Sequence, residues 1–332
     1  MAAAAFLWAL PAFASYAEVW DKLLGLEAMP AVALAVVGLA NILSPATNQC
    51  AALPGLRFRD AVVTDWTTSA ITNTVPAGSA LAIGMTWTMY RSYGLAGRDM
   101  ARCVVVTGVW DALVKCGTPL IAVIWLSTER PIGPGLTEAA LVGASLFSVV
   151  IGLGAIVLAG PTVALRVGGL LNRVRWLGSQ WPRRLTQLRD DTIWLLRARW
   201  RTLTWWTLAG HANLYLLLVV CLRSLQVSSA DLSLAAILAG FAFGRLVTAL
   251  PLSPGGLGVM EVGLTGALAA VGQADSSAVV AAVLLFRFAT YFVPIPLGAL
   301  CWLVWSTRSP RPKPVTGTGH PLDPTQATAD LG

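Results

Sequence analysis

A chain of 332 residues that is 56% hydrophobic and only 12% charged is too apolar for a soluble globular protein and too poor in charge to be disordered. Its uncharged runs reach the roughly 20 residues that a spanning helix needs, and strand-like alternation is absent, which favours a helical membrane bundle over a β-barrel. The net charge of +7 gathers in one loop and the tail beside apolar runs, a pattern typical of a cytoplasmic membrane face and not of nucleic-acid binding.

The first predicted span covers residues 28–56, an uncharged run that ends at Arg57 and Arg59. Because basic residues mark the cytoplasmic side, this end is expected there. The preceding residues 1–17 are apolar but short. They fit a signal peptide that lacks the usual basic start, a clipped helix, or a helix that begins upstream.

Residues 60–93 are predicted to form a broken hairpin that enters the membrane and returns to the same side. The run is uncharged from residue 66 to residue 90 but contains Asn73, Pro76 and Gly78 near its middle. Arginines flank both of its ends, which places both on the cytoplasmic side. Two further spans, residues 103–128 and 139–165, follow.

Residues 166–201 carry nine arginines against two aspartates and mark the cytoplasmic side most clearly. Leucines near helical spacing alternate with tryptophans, which predicts an amphipathic helix at the interface beside anionic lipid head groups. The loop is tethered between two spans, which argues against nucleic acid as its partner. The chain then crosses outward at residues 202–222.

A second broken hairpin is predicted over residues 232–272, with its ends on the outer side. Its middle contains helix breakers and residues that permit close backbone approach, namely Pro251, Pro254, Gly255, Gly256 and Gly258. Backbone groups freed at membrane depth are tolerated only in a protein interior or a wet cavity, so the break is expected to face a site. A tight turn with structural Arg–Glu pairing is the alternative, and the sequence does not decide between the two.

The two broken segments predict an inverted repeat. One hairpin opens to the cytoplasm and the other to the outside, which is the sequence signature of a transporter with its site at the midplane. The pseudo-repeats cover about residues 28–160 and 202–305 of one membrane domain, residues 1–305, and the basic loop 166–201 joins them. A chance likeness is the alternative, because Gly and Pro are common in membrane helices. The last span, residues 276–307, leads to a cytoplasmic tail, residues 306–332, that is predicted to be disordered.

Five ionisable side chains lie within apolar runs, where a lone charge costs about 2.5 to 3.5 kcal/mol. Asp111 and Lys115 have the favourable i,i+4 order and are predicted to form a structural ion pair. Arg245, Glu261 and Arg287 surround the second break and leave one net positive charge if they meet. That surplus suits a phosphate, with help from the N–H groups of the glycine turn and the following helix N-terminus. Glu261 could instead titrate as a coupling group.

No cofactor, metal or nucleotide is predicted. No grouping of His, Cys, Asp or Glu has metal-ligand spacing, no nucleophile has an adjacent base, and no phosphate-binding Gly-Lys loop is present. His211 stands alone in an apolar run and is interpreted as an interhelical hydrogen-bonding residue. The five cysteines show no paired spacing and are interpreted as buried thiols.

Several motifs together resemble those of one membrane protein family: Thr72-Asn-Thr-Val-Pro-Ala-Gly78, Thr107-Gly-Val-Trp-Asp111, Leu252-Ser-Pro-Gly-Gly-Leu-Gly-Val-Met-Glu261, Ala282-Val-Leu-Leu-Phe-Arg287 and Tyr291. The chain resembles, from about residue 28 to residue 305, the flippase-like family that includes the transmembrane part of lysylphosphatidylglycerol synthases. The resemblance implies a polytopic helical domain that moves lipids between leaflets, with Glu261 and Arg287 at motif positions. The chain ends soon after its last helix, so no soluble transferase domain and no enzymatic activity are expected.

The sequence therefore predicts an all-α bundle in the plasma membrane that translocates an anionic phospholipid or a polyprenyl-phosphate-linked intermediate. Arg245 and Arg287 are expected to hold the phosphate, and Glu261 to gate or couple. The remaining predicted substrate contacts come from the two breaks and the last span: Asn73, Pro76, Gly78, Pro254, Gly255, Gly256, Gly258 and Tyr291. An intramembrane enzyme that uses Glu261 or Asp111 on a lipid-linked head group, or a non-catalytic envelope assembly protein, are the alternatives. Membrane lipids and a lipid-modifying enzyme are the expected partners.

Overall fold

The computed structural model describes residues 27–75, 78–129, 134–159, 181–247, 258–272 and 274–308, together with a few single positions outside these ranges. Within them the chain is helical apart from short connections, and no strand occurs there, which confirms the predicted all-α class. The predictions for Pro76, Pro254, Gly255 and Gly256, for residues 1–17 and for the tail beyond residue 308 lie outside the described residues.

Ten α-helices are described, with a π-helical turn, Phe288–Phe292, between the last two. They are α1 (Ala28–Ala52), α2 (Phe58–Thr74), α3 (Gly78–Ser92), α4 (Gly97–Ser127), α5 (Pro134–Ala159), α6 (Trp181–Ser224), α7 (Leu234–Val247), α8 (Val259–Val271), α9 (Ser276–Arg287) and α10 (Pro294–Arg308).

Four helical stretches of the described residues are long and apolar enough to cross a membrane: Ala28–Ala52, Gly97–Ser127, Leu185–Ser224 and Ser276–Thr307. They contain most or all of the predicted spans 28–56, 103–128, 202–222 and 276–307. The predicted span 139–165 falls largely within α5. The chain is therefore a multi-span helical membrane protein.

The long helix α6 joins part of the predicted basic loop to the span that follows it. Its 44 residues extend about 66 Å at 1.5 Å per residue, roughly twice the thickness of the hydrocarbon layer. The expected boundary at residues 201 and 202 is therefore not a break in the helix. The helix contains no proline after Pro182, which lies in its first turn, where proline is tolerated.

Two hydrophobic clusters pack at different levels of α6, one near its middle and the other near its C-terminal end. One contains Leu195 and Leu203 together with the end of α1, the start of α2, the end of α3 and the start of α4. The other contains Leu217 and Leu222 together with the end of α4, the start of α7, the end of α8 and the start of α9. The outer ends of α2 and α3 thus lie near the middle of α6, and the outer ends of α7 and α8 lie near its C-terminal end.

Close helix contacts hold the pair α2–α3 together and fix the pair against α10. A Cβ atom at Gly78, the first residue of α3, would lie 2.5 Å from the carbonyl oxygen of Ile71, so the turn accepts only glycine without a backbone shift. A Cβ atom at Gly298 of α10 would overlap the carbonyl oxygen of Trp66 in α2. These two glycines allow the first break and the last helix to pack directly on backbone.

Candidate functional site

A polar cavity of about 370 Å³ lies among α1, α4, α6, α7, α8 and α9. Its polar lining comes from helices that are otherwise apolar: Asn41, Ser44, Asn48, Asp111, Thr207, His211, Arg245, Arg287 and Thr290. Polar and charged side chains at membrane depth are costly and generally mark a functional site. The cavity is therefore the candidate substrate site.

Helix α1 brings three of these polar residues to the cavity although it contains Pro45. Proline removes the hydrogen bond to the carbonyl four residues earlier, here that of Asn41. The hydroxyl of Ser44 donates to that carbonyl at 3.0 Å and satisfies it. Asn41, Ser44 and Asn48 then lie on one helix face because their spacing follows the helical period.

Arg287, which lines the cavity, forms a buried ion pair with Glu261 behind it. The Nε–H of Arg287 donates to Oε1 of Glu261 at 2.7 Å, and the backbone N–H of Gly258 donates to Oε2 at 2.7 Å. Glu261 is 1% exposed and Arg287 is 8% exposed. Gly258, which precedes α8, has φ +83°, so glycine is favoured there, and the Glu261 carboxylate lies favourably at the positive end of the helix.

Arg287 also connects the second half of the chain to the first break. Its guanidinium lies 4.7 Å from the centroid of the Tyr291 ring, within cation–π distance. The Tyr291 hydroxyl donates to the carbonyl oxygen of Asn73, and the Asn73 side-chain amide donates to the carbonyl of Tyr291 at 3.0 Å. Five predicted site residues, Gly258, Glu261, Arg287, Tyr291 and Asn73, thus form one connected network.

Asp111 is the centre of a second cluster on the cavity wall. Its carboxylate lies 2.5 Å from Nζ of Lys115, 3.2 Å from Nε2 of His211 and 3.8 Å from the guanidinium of Arg245. The predicted Asp111–Lys115 ion pair is therefore present in the structure, but Asp111 has two further partners there and lines the cavity. Arg245, which was grouped with Glu261 in the sequence prediction, lies beside Asp111 in the structure, on the wall of the same cavity.

His211 lines the cavity, although the sequence did not indicate it as a site residue. Its Nδ1 lies 3.0 Å from the carbonyl oxygen of Thr207, so Nδ1 carries hydrogen and donates. Its Nε2 lies 3.3 Å from the Arg245 guanidinium. A neutral ring accepts from Arg245 at Nε2, whereas a protonated ring donates to Asp111. Asn41, Ser44 and Asn48 were missed as well, and their spacing was the available signal.

A third carboxyl within the bundle, that of Asp65 in α2, has a different environment. The side-chain amide of Gln49 donates to it at 3.0 Å, and the hydroxyl of Tyr90 donates to the carbonyl oxygen of that amide at 2.5 Å. In the described ranges no basic side chain forms an ion pair with Asp65.

The two charged clusters together contain three basic side chains and two carboxylates, which leaves one positive charge in excess when His211 is neutral. Guanidinium groups hold phosphates through charge-assisted hydrogen bonds. The site can therefore hold an anion. No group of three metal-ligating side chains occurs among the residues with described positions.

The family model described as the lysylphosphatidylglycerol synthase TM region matches residues 1–298 of the chain. A comparison with curated proteins found no match.

Proposed function

The chain belongs to the family of the lysylphosphatidylglycerol synthase transmembrane region, and from this premise we propose that it moves an anionic lipid across the plasma membrane. The observation that carries the proposal is the central cavity, which combines an excess positive charge with a position among membrane helices. An anionic phospholipid or a polyprenyl-phosphate-linked lipid supplies the matching charge. No enzymatic step is part of the proposal.

Arg245 and Arg287 hold the lipid phosphate in this proposal, and Glu261 acts as the gate. Glu261 holds the Arg287 guanidinium at the cavity wall. A phosphate that enters the cavity competes with the Glu261 carboxylate for that guanidinium, because both are anions. The predicted contacts Pro254, Gly255 and Gly256 remain part of the proposed site.

An inverted repeat with two re-entrant hairpins is part of the same proposal. The helices α7 and α8 have 14 and 13 residues and extend only about 20 Å, so neither spans a hydrocarbon layer about 30 Å thick. They pack against each other, as α2 and α3 do. The two pairs have their outer ends at different levels of α6, about residues 195–203 for α2 and α3 and about residues 217–222 for α7 and α8, which supports openings toward opposite sides.

Several helix contacts support the repeat because they are preserved when the two halves are exchanged. We pair α1 with α6, α2 with α7, α3 with α8, and α4 with the α9–α10 helix. The contact of α2 with α10 then corresponds to that of α7 with α4, and the contact of α3 with α4 corresponds to that of α8 with α9. The contact between α1 and α6 maps onto itself.

Each hairpin reaches the long helix of the other half near the cavity. Asn73, at the end of α2, is hydrogen bonded to Tyr291, and Arg245, near the end of α7, lies beside Asp111. A rocking motion of one half against the other would break both connections together. This arrangement supports alternating access around a central site.

The distribution of charge supports a cytoplasmic C-terminus. The end of the bundle that contains the α2 and α3 termini carries Arg57, Arg91 and Arg98, and the indole of Trp305 near the end of α10 donates to Ser92 there at 3.0 Å. The opposite end carries Glu129 and Asp231. Basic residues are enriched on the cytoplasmic side.

The exposed face of the α6 extension is the proposed contact for anionic lipid head groups. Trp194 and Trp200 are 59% and 54% exposed, and Arg183, Arg197 and Arg199 are exposed beside them. Tryptophan prefers the membrane interface and arginine binds lipid phosphates. A lipid-modifying enzyme remains a proposed partner.

The test is transport by purified protein in liposomes that contain fluorescent phosphatidylglycerol or fluorescent phosphatidylcholine in one leaflet. We expect the wild-type protein to move the anionic lipid faster than the zwitterionic one. Arg287→Gln is expected to abolish this movement, whereas Arg98→Gln, which changes an exposed arginine outside the cavity and outside the α6 extension, is expected to leave it intact. Equal transport by the two variants contradicts the proposal. New lipid products in the same vesicles would support the enzyme alternative instead.

A further inference from the structure

We infer that an apolar groove between α4, α5, α6 and α7 holds the hydrocarbon chain of the lipid whose phosphate occupies the central cavity. The inference rests on the proposed function. The groove has a volume of about 720 Å³. Its lining includes Trp110, Ile121, Trp125, Phe147, Leu208 and Phe241.

The groove and the polar cavity meet at His211, which lines both. The Nε2 side of the ring faces Asp111 and Arg245 in the cavity. A lipid with its phosphate at Arg245 therefore has its first chain carbons beside His211, where the apolar surface begins. The cavity and the groove are therefore neighbours, within the reach of the head group and the chain of one lipid.

Three polar groups around the groove are already hydrogen bonded within the protein. The indole N–H of Trp110 donates to the hydroxyl of Thr204 at 3.0 Å, the hydroxyl of Thr118 donates to a carbonyl of its own helix at 2.6 Å, and the hydroxyl of Tyr215 donates to the carbonyl of Leu234 at 2.8 Å. These three groups therefore need no hydrogen bond from an occupant of the groove, whose lining is mostly apolar. That surface suits a hydrocarbon chain and not a head group.

A second apolar groove serves as a control for non-specific contact with membrane lipid. It has a volume of about 360 Å³ and lies between α1 and the helix around the π-helical turn, with Leu39 and Phe288 in its lining. It shares no lining residue with the polar cavity. Bulk lipid should fill both grooves, whereas the transported lipid should favour the groove that adjoins the cavity at His211.

The first experiment uses phosphatidylglycerol that carries a photoactivatable diazirine in one acyl chain, and phosphatidylcholine with the same chain as the matched probe. Wild-type protein in nanodiscs is irradiated with each probe, and labelled peptides are identified by mass spectrometry. We expect phosphatidylglycerol to label Ile121 and Leu208 more than phosphatidylcholine does, and both lipids to label Leu39 and Phe288 equally. Equal labelling of the first groove by the two lipids means annular lipid only and overturns the inference.

The second experiment fills the groove. Leu208→Trp adds volume inside it, and Leu216→Trp makes the same change on the same helix at a position outside its lining, with 45% exposure against 47% for Leu208. We expect Leu208→Trp to slow transport about tenfold, in line with the cost of overpacking, and Leu216→Trp to stay within about twofold.

The outcomes separate this inference from the proposed function. Leu208→Trp is expected to keep wild-type affinity for glycerol 3-phosphate, a soluble head-group probe, because the cavity is unchanged. If the wild-type protein transports no anionic lipid, the proposed function fails. If it does transport and Leu208→Trp is as fast as Leu216→Trp, only the groove assignment fails.

Discussion

Variants of the buried ion pair between Glu261 and Arg287 can separate its contribution to stability from its contribution to transport. Glu261→Gln keeps the shape of the side chain but removes its charge. One amide oxygen then replaces two carboxylate oxygens that accept from Arg287 and from the backbone of Gly258, each at 2.7 Å. Arg287, which is 8% exposed, loses the negative charge of the Glu261 carboxylate beside it.

The expected loss follows from that burial. Removal of one member of a buried ion pair destabilises a protein by about 3 to 5 kcal/mol, because the other charge stays buried. The amide oxygen retains one of the two hydrogen bonds, so we expect the lower value, about 3 kcal/mol. Replacement of both residues by apolar ones of similar size, Glu261→Leu with Arg287→Met, removes the buried charge altogether and should cost no more than about 1 kcal/mol.

The measurement is the free energy of unfolding in detergent micelles with increasing denaturant, followed by tryptophan fluorescence, together with lipid transport in liposomes. The single variant should lose both stability and transport. The double variant should recover stability and still fail to transport, because no guanidinium remains at position 287 to hold phosphate. A single variant as stable as the wild type, or a double variant less stable than the single one, would refute the reasoning.

Two further predictions concern the first hairpin. Gly78→Ala should lower the free energy of unfolding by about 1 to 3 kcal/mol, because its Cβ would lie 2.5 Å from the Ile71 carbonyl oxygen, whereas Gly84→Ala in the same helix meets nothing within 4 Å and should be neutral. Equal effects of these two variants in denaturant unfolding would contradict the packing argument. Asp65→Asn should lower the free energy of unfolding by less than about 1 kcal/mol, since no described cation pairs with that carboxyl. Asp111→Asn should lower it more in the same assay, because Lys115 and Arg245 lose the negative charge of Asp111. A larger loss at Asp65 would show that its charge matters.

The sequence predicted the residues of the site better than their partners. Glu261 and Arg287 could be grouped because they flank one break, and they do form an ion pair. The neighbours of Arg245 could not be foreseen, since its contact with Asp111 depends on the packing of α7 against α4. His211 joins them for the same reason.

The polar residues of α1 could not be assigned to the site from the sequence for a different reason. Small polar residues at helical spacing occur both at helix–helix contacts and at cavities in membrane proteins, so Asn41, Ser44 and Asn48 did not distinguish the two. The extent of α6 was missed because charge indicates where the hydrocarbon layer ends and not where a helix ends. Arginine is a good helix former, and the helix continues through the basic segment.

The π-helical turn sets the phase of the last helix. Pro294 has no N–H to donate to the carbonyl four residues earlier, and the N–H of Val293 reaches back five residues to Phe288 at 3.0 Å. A π turn holds one residue more than an α turn, so α10 is rotated by about 100° from the direction that an uninterrupted helix would give it. That rotation points Gly298 at α2. A relative that lacked the extra residue would need its small residue one position away to keep the same fit.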